Sequence, residues 1–438
     1  MLSTLRDAFK VKDLRTKLLY TFAMLVVIRL GSNLTIPGVN NKFLRDFISQ
    51  QQGNAFGFVN ALTGGSFEQM SVLALSITPY ITSSIIMQLM TIAIPKLEEM
   101  QRDGEDGRKK IMEYTRYLTV GLALAQSIAL SVGFGRQGLL FNFSLKSVVV
   151  AVCAMTAGSA FLMWIGERIT EKGVGNGISI VLLFNIISSL PSDLSELYKV
   201  FMQGKSVAIK VVAGLVIAAC ILVMVVFVII LQDAERRIPV QYSAKTQGRR
   251  LVGGQSSFIP LKVNTANVIP VIFASSLMSF PVVISQFVPS LQVGIPGKII
   301  KLLNSGSWFD ATSPAYTLGA LIYIVLIVLF AYFYTSITFN PLEIANNMKK
   351  QGGMIPFVRP GKPTTEYLTK ILNYVIFIGA AGLVIVCIIP LIISGVFKVS
   401  RLSFTGTSLI IIVGVILETI KAIESQMLVR NYRGFLSE

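Results

Sequence analysis

Histidine is absent from this sequence, cysteine occurs only three times, and charged residues make up only 14% of the chain. Without histidine, Ser-His and Cys-His catalytic pairs and the HExxH zinc motif are all excluded. The cysteines, Cys153, Cys220 and Cys387, lie alone in separate apolar stretches, so they show neither disulfide nor zinc-ligand spacing. The sequence therefore predicts no metal, no cofactor and no enzymatic activity of its own.

Nucleotide-binding motifs are missing as well. The stretch GKS at 204–206 ends like a phosphate-binding loop, but the glycine that should precede it at the required spacing is absent. The run GVGNG at 173–177 resembles a loose dinucleotide fingerprint, yet its third spacing is wrong and no strand precedes it, which favours a tight turn. Any process that consumes energy would therefore need a partner that binds the nucleotide.

What the chain has instead is long apolar tracts. Its 438 residues are 53% hydrophobic, with a mean hydropathy of +0.68, which is far from the balance of an ordinary globular protein. A helix that spans a bilayer needs roughly 20 predominantly apolar residues. Ten tracts meet this need, and they lie near 18–35, 72–94, 117–135, 147–166, 175–192, 211–232, 266–289, 315–338, 371–394 and 403–424. The sequence thus predicts an all-α polytopic membrane protein with ten transmembrane helices.

The distribution of Lys and Arg orients these tracts. If both termini lie on one side of the membrane, that side carries 27 of the 39 basic residues and the other side 11, with Arg29 inside the first tract. Cytoplasmic connections of membrane proteins carry an excess of Lys and Arg. Both termini are therefore predicted to be cytoplasmic. The amino-terminal segment lacks the apolar core and cleavage site of a signal peptide, so the first helix is predicted to stay attached.

The stretch 56–95 contains two apolar segments where a simple spanning helix needs one. Residues 69–95 are 27 positions without a charge, which is long enough to cross. The preceding segment has only about three helical turns before Gly64-Gly65, and glycine is unfavourable within a helix. Non-helical backbone at membrane depth is tolerated only where protein buries it or where it lines a watery cavity. The pattern predicts a re-entrant plug beside a pore-lining helix.

Three charged connections are predicted on the cytoplasmic side. Residues 96–116 are densely charged in both signs, which is typical of a solvated connection. The connections at 233–262 and 339–370 are long and mainly basic. Their positive charge fits either lipid headgroups or a large cytosolic partner, including one that exposes nucleic-acid phosphate.

Two ionisable residues inside the tracts, Arg29 and Glu418, leave another function open. Transporters of ions or small solutes usually keep such residues within the bilayer, where they are costly. Both lie toward helix ends, from which long side chains can reach the headgroups. A secondary transporter of a small solute therefore stays an alternative. An intramembrane protease is less favoured, because histidine and paired membrane aspartates are missing.

Seven stretches are highly specific when they are taken together: SITPYITSSIIMQLM, DGRKKIMEYTRY, MWIGERITEKGVGNGISI, QGRRLVGGQSSFIPLKVNTANVIPVIFASS, FYTSITFNPLEIANNMKKQGG, VRPGKPT and FTGTSLIIIVGV. They resemble the SecY/Sec61-alpha family, whose bacterial members are central subunits of the protein-conducting channel. The resemblance extends over essentially the whole chain, except the tail after Gln426 and the outer loop 296–314. It implies two inverted five-helix halves around a central pore. These are a half at 1–192 with a plug at about 56–69, a hinge connection at 193–210, and a half at 211–438 with cytoplasmic loops 233–265 and 339–370.

The resemblance also implies a pore ring and a plug. The ring positions are Ile77, Ile81, Ile178, Leu182, Ile272 and Ile411. Aliphatic side chains exclude water and ions by dewetting, and they offer a passing chain nothing to bind. Leucine at one position preserves this property. The plug positions are Phe58, Val59, Leu62, Gly64 and Gly65.

A lateral gate and two docking loops are implied in the same way. The gate opens to lipid between the second and seventh tracts, and its polar positions match Thr82, Gln126 and Ser276. The docking arginines of the basic loops match Arg236, Arg237, Arg249, Arg250 and Arg359. The implied partners are SecE- and SecG-type membrane subunits, the SecA motor ATPase, the ribosome with its rRNA, membrane lipids, and unfolded polypeptides with signal sequences. The implied location is the bacterial cytoplasmic membrane.

Overall fold

The computed structural model describes residues 9–41, 43–44, 60, 62–204, 206–242, 245–247, 250–252, 256–287, 293–305, 308–309, 314–397 and 406–434. Its helices are α1 (Lys12–Asn33), α2 (Thr78–Ala93), α3 (Pro95–Arg102), α4 (Glu105–Phe134), α5 (Leu145–Lys172), α6 (Gly177–Phe201), α7 (Val207–Asp233), α8 (Ile269–Phe287), α9 (Gly294–Leu303), α10 (Leu318–Thr338), α11 (Pro341–Lys350), α12 (Lys362–Phe397) and α13 (Gly406–Gly434). Its strands are β1 (Glu235–Tyr242), β2 (Lys245–Gln247), β3 (Arg250–Val252), β4 (Ser256–Lys262) and β5 (Gly353–Met354).

Each of the ten predicted tracts overlaps a helix, in the order α1, α2, α4, α5, α6, α7, α8, α10, α12 and α13. Within the described residues, seven helical stretches are long and apolar enough to cross a membrane. The pair α2 and α3, bent by 103° at its break, makes an eighth if it is counted as one span. The apolar part of α8 is shorter, at Ile269–Val282. The predicted class, an all-α polytopic membrane protein, is confirmed.

The charged segment between the second and third tracts is helical. α3 begins at Pro95, directly after α2 ends, and α4 begins after Gly104, whose φ of +82° ends the turn between them. Arg102 pairs with Glu98 at 2.6 Å, one helical turn away, and both side chains are exposed. The segment is solvated, as predicted, but it consists of α3 and the first turns of α4 rather than a simple connection.

The two long basic loops form a small β-sheet that the sequence reading did not predict. β1 pairs with β4 in antiparallel register, and the far end of β1 pairs with β5 from the other loop. One sheet face packs against α11 and α12 through a cluster of apolar side chains that includes Ile238, Val240, Leu261, Met348 and Leu368. The two loops are therefore one packed unit on the cytoplasmic side of the predicted topology.

The membrane helices pack in two groups. In the first, α5 packs against α1, α4 and α6, and α2 packs against α4. In the second, α10 lies between α8 and α12, and α13 contacts both α12 and α7. The groups meet along α6 against α13, and much more sparsely along α4 against α8. A single large apolar cluster runs across both groups and includes Ile28, Ile186, Val271 and Ile410.

Candidate pore constriction and plug seat

The structure brings the six predicted ring residues into the large apolar cluster between the helix groups. Together they are called the aliphatic collar: Ile77, Ile81, Ile178, Leu182, Ile272 and Ile411. The first two lie at the start of α2, the next two in the first turns of α6, and the last two in α8 and α13. Ile77, Leu182 and Ile411 are buried, whereas the other three are partly buried. Their role in a pore stays a prediction.

Close backbone packing in the first helix group positions two collar residues. A Cβ added at Gly166 of α5 would lie 3.0 Å from Ile178 Cγ1 and 3.5 Å from Ile77 Cδ1, so both side chains rest on this glycine. A Cβ at Gly177 would lie only 2.1 Å from the Gly166 carbonyl oxygen, so the start of α6 can approach α5 only with glycine there. Asn176 caps α6 by accepting a hydrogen bond from the Ile178 amide at 3.1 Å.

The collar side chains carry no polar atom. Where such side chains line a narrow constriction, water and ions lose their hydration shell without gaining a replacement. An apolar chain segment, in contrast, makes only weak and non-directional dispersion contacts with them. The arrangement suits a barrier to ions that does not bind a threaded polypeptide.

The described part of the predicted plug lies buried beside the collar. Leu62 belongs to the same apolar cluster as the collar, and the backbone from Thr63 onward is a series of turns. Gly64 and Gly65 have φ values of +65° and +83°, which side chains disfavour. The plug positions Phe58 and Val59, with the rest of 45–59, lie outside the described residues.

A polar site on α5 and α6, with Arg29 from α1, holds this segment. Asn185 Nδ2 donates to the Leu62 carbonyl oxygen at 3.3 Å and to Ser76 Oγ at 3.0 Å. Ser188 Oγ donates to the Gly64 carbonyl oxygen at 3.4 Å. Together with contacts from Arg29 and Ser159, these hydrogen bonds form what is called the plug seat. Its side chains are Arg29, Ser76, Ser159, Asn185 and Ser188.

The remaining two contacts extend the plug seat toward α1 and α5. Arg29 Nη1 donates to Ser188 Oγ at 3.0 Å, and Ser159 Oγ donates to the Ser76 carbonyl oxygen at 3.1 Å. Arg29 was singled out from the sequence as a transporter residue or a residue that reaches the headgroups, and the structure gives it this contact instead. Asn185 was not singled out, although a buried amide within an apolar tract is a signal for function.

The plug and the segment after it are also tied to the end of α1 by backbone hydrogen bonds. The Ile36 amide donates to the Met70 carbonyl oxygen at 3.1 Å, and the Val72 amide donates to the Leu34 carbonyl oxygen at 2.8 Å. Within the plug, Asn60 Oδ1 accepts from the Glu68 amide at 3.2 Å. The predicted plug is thus held in three ways: by a hydrogen bond within it, by the backbone hydrogen bonds of the following segment to the end of α1, and by the plug seat.

The predicted lateral-gate residues are not joined to one another. Thr82 Oγ1 donates to the Thr78 carbonyl oxygen of its own helix at 3.1 Å, and no hydrogen bond between described residues links Thr82, Gln126 and Ser276. The side chains between α2 and the pair α8 and α10 are instead largely apolar. They line a crevice of about 10 Å³, in which Phe273 and Phe330 stack with ring centroids 5.1 Å apart.

The predicted docking arginines fall into three places. Arg236 and Arg237 are neighbours on β1 and therefore point to opposite faces of the sheet. Arg237 pairs with Glu235 at 2.6 Å and lies 4.9 Å from the ring centroid of Phe258. Arg359 is exposed before α12. For Arg250 only the backbone, in β3, is described, and Arg249 lies outside the described residues.

The chain matches the sequence profile of the SecY family over residues 71–420. Curated relatives that share the name protein translocase subunit SecY match this chain over their full length. The Streptomyces lividans protein is 45% identical over 450 residues, and the Halalkalibacterium halodurans protein is 43% identical over 442 residues. In both cases the alignment covers 100% of this chain and 100% of the relative.

Solved structures show the same fold at low identity. One structure, described as a protein conducting channel, has a TM-score of 0.61 at 16% identity. Another, described by the role of the SecY plug domain in stabilising the closed translocation channel, has a TM-score of 0.60 at 17% identity. Sec61 in the canine ribosome-channel complex from the endoplasmic reticulum has 0.58 at 16%. Each comparison covers 94% of this chain and 92% of the other.

Proposed function

This chain belongs to the SecY family, and we propose that it is the protein-conducting subunit of a translocase. Unfolded polypeptides cross the membrane through it, and apolar segments leave it sideways into lipid. The observation that carries the proposal is the meeting of the aliphatic collar and the plug in one apolar cluster between two helix groups. A channel that must block ions and pass chains of any sequence needs an apolar constriction with a removable stopper.

The two halves are proposed to be residues 1–192 and 211–438, joined by a connection within 193–210. The helices α6 and α7 continue into this interval from both sides, which leaves 202–206 between them. The packing of α6, the helix that leads into this connection, against α13 supports a hinge on this side. The sparse contact of α4 with α8 supports a seam that parts on the opposite side.

Opening is proposed to begin with the plug. The plug-seat hydrogen bonds within a membrane protein contribute on the order of 0.6 kcal/mol each, so an arriving chain that separates the halves can release them. Gly64 and Gly65 allow the plug backbone to turn away without steric conflict. The backbone hydrogen bonds of Ile36 and Val72, which join the segment after the plug to the end of α1, keep the plug attached during this movement.

Energy and direction are proposed to come from bound partners, since the sequence has no nucleotide-binding motif. The proposed partners are the SecA motor ATPase, the ribosome, and SecE- and SecG-type membrane subunits. Exposed arginines of the sheet, including Arg236 and Arg237, and Arg359 support docking at the cytoplasmic side. The proposed location is the bacterial cytoplasmic membrane, with both termini in the cytoplasm.

The direct test is transport by the reconstituted protein. Proteoliposomes with the full chain and its small subunits should protect an unfolded precursor from external protease when SecA and ATP are added. Liposomes without the chain are the control. The alternative, a solute transporter, would give saturable solute uptake by the chain alone and loss of uptake in Arg29→Gln or Glu418→Gln. Protease protection that does not depend on the chain would refute the channel.

Docking can be tested with one charge reversal. Arg359→Glu places a negative charge where an anionic partner surface is proposed, and such a reversal costs about tenfold or more in association. We expect precursor transport to fall by a similar factor while the amount of folded channel is unchanged. Lys301→Glu in α9, on the predicted outer side, is the matched control. Equal loss in both variants would argue against docking at Arg359.

A further inference from the structure

Phe357 has two unusual properties at once. Its φ is +65°, in the left-handed region, and its side chain is completely exposed, at 109% of the reference area. A bulky side chain in this conformation costs roughly 1–2 kcal/mol relative to a right-handed conformation. A fully exposed aromatic ring gains nothing from packing within the chain to offset that cost. Strain held at an exposed residue points to a function outside the fold.

The turn that carries Phe357 is fixed on both sides. Ile355 is buried in the cluster beneath the sheet, and the Val358 amide donates to the Ile355 carbonyl oxygen at 3.1 Å. Thr364 Oγ1 of α12 donates to the Arg359 carbonyl oxygen at 2.8 Å. The backbone that carries the ring is therefore held in place, so binding would lose little backbone conformational entropy.

The position of the turn separates it from the membrane surface. β5 pairs with the far end of β1, at Gln241 and Tyr242, while β1 starts two residues after α7 ends. At about 3.3 Å per strand residue, roughly 20 Å of β1 separates β5 from the end of α7 along the chain. Phe357 follows β5 by three residues. The ring is thus placed to meet a cytosolic macromolecule rather than lipid.

The tip of this loop is apolar, and basic residues flank it. Residues 351–361 contain one charged side chain, Arg359, and this stretch lies between Lys350 and Lys362. On the exposed face of the sheet, Met354 and Phe258 are both exposed, and Arg237 stacks on Phe258. Aromatic residues, Met and Arg are the types enriched at the centres of protein–protein interfaces. A site that stacks nucleic-acid bases would also use basic side chains that follow the phosphates, so ribosome binding is the alternative that the experiment must separate.

We propose that Phe357 is the apolar anchor by which this chain docks a cytosolic protein, and that it inserts into an apolar pocket whose acidic rim meets Arg359 and Arg237. The proposal rests on the proposed function and adds a residue and a chemistry to its docking surface. Aromatic and Arg residues at the centre of an interface account for most of its binding energy. The strained turn is retained because it aims the ring outward.

The test separates the ring from the strain. Phe357→Gly removes the ring and also relieves the left-handed strain, so it should keep or raise the thermal stability of the channel. Phe357→Trp keeps an aromatic ring with the same strain. Phe141→Ala removes another highly exposed aromatic, on the predicted outer side, and is the control. Affinities of purified SecA and of vacant ribosomes would be measured on the full complex in nanodiscs.

We expect Phe357→Gly to weaken SecA binding about tenfold or more, and Phe357→Trp and Phe141→Ala to leave it within about threefold. Unchanged SecA affinity in Phe357→Gly would overturn the proposal, as would a loss confined to ribosome binding, which would indicate base stacking. A loss accompanied by a lower melting temperature would assign Phe357 to the fold instead. The unsubstituted channel is measured alongside the variants. If it binds neither SecA nor ribosomes, the docking function itself is refuted.

Discussion

The aliphatic collar and the plug seat lie in contact but use opposite chemistry. The collar joins residues of α2, α6, α8 and α13 through aliphatic side chains alone. The plug seat joins α1, α5 and α6 to the plug and the residues after it through directed hydrogen bonds, two of them from Asn185. Apolar contact depends on area and tolerates substitution, whereas hydrogen bonds depend on distance and angle. If the collar is the barrier and the plug its stopper, as proposed, the barrier tolerates aliphatic substitution and the closed position of the stopper is specific.

Because the plug seat is polar and the collar is not, movement of the plug should change the hydration of the plug seat only. Asn185 is buried, and its side-chain amide donates hydrogen bonds to the predicted plug, at Leu62, and to the segment after it, at Ser76. If the plug leaves, the amide keeps a buried donor without a partner, at a cost of about 1–3 kcal/mol, unless water enters. The collar side chains have no hydrogen-bonding group that would need a partner. We therefore expect the space vacated by the plug to fill with water while the collar stays dry around the threaded chain.

The largest effect is expected from making the collar polar. In the double variant Ile77→Asn and Ile272→Asn, two amides would hydrate the constriction, and resting ion conductance in planar bilayers should rise about tenfold or more. The control, Ile77→Leu with Ile272→Leu, keeps an aliphatic lining, as Leu182 already does. Conductance equal to that of the parent in the Asn variant would contradict the collar assignment.

A smaller effect is expected from removing the central amide of the plug seat. Asn185→Leu deletes the hydrogen bonds to Leu62 and Ser76 and replaces the amide with an aliphatic group. The closed state should lose about 1–2 kcal/mol, so precursors with defective signal sequences should cross about fivefold faster. Ser189→Ala, on the same helix but bonded to its own Ile186 carbonyl oxygen, is the control. If both variants behave alike, Asn185 does not hold the plug.

The collar and the plug seat were not equally accessible to sequence reasoning. The six collar positions were predicted from the family resemblance, because aliphatic side chains in apolar tracts do not by themselves mark a pore. The plug seat depends on contacts such as Asn185 with Leu62, which are 123 positions apart, and no local pattern specifies such a contact. The same holds for the cytoplasmic sheet, where β1 pairs with β5 more than 100 positions later. Charge-free length predicted the ten helices, but pairings between distant segments had to come from the structure.

Adjacent glycines allow the next prediction to be internally controlled. A Cβ at Gly64 would lie 2.8 Å from the Asn185 carbonyl oxygen, whereas a Cβ at Gly65 would meet nothing within 4 Å. Both residues have positive φ, so Ala strains either one by about 1 kcal/mol. Gly64→Ala should also push the plug off its seat and raise transport of signal-defective precursors about threefold, with less change in Gly65→Ala. Equal effects would mean that strain, and not contact with α6, sets the plug position.

The smallest effect is expected at the edge of the plug seat. Ser188 Oγ lies 3.4 Å from the Gly64 carbonyl oxygen, near the limit of a hydrogen bond, and its other partner, Arg29, is exposed. When Ser188→Ala removes both contacts, Arg29 can turn to water or lipid headgroups, so no buried group is left without a partner. Transport of signal-defective precursors should rise by less than about twofold. An effect as large as that of Asn185→Leu would shift the centre of the plug seat from the buried amide to the arginine, and Arg29→Gln would then reproduce it.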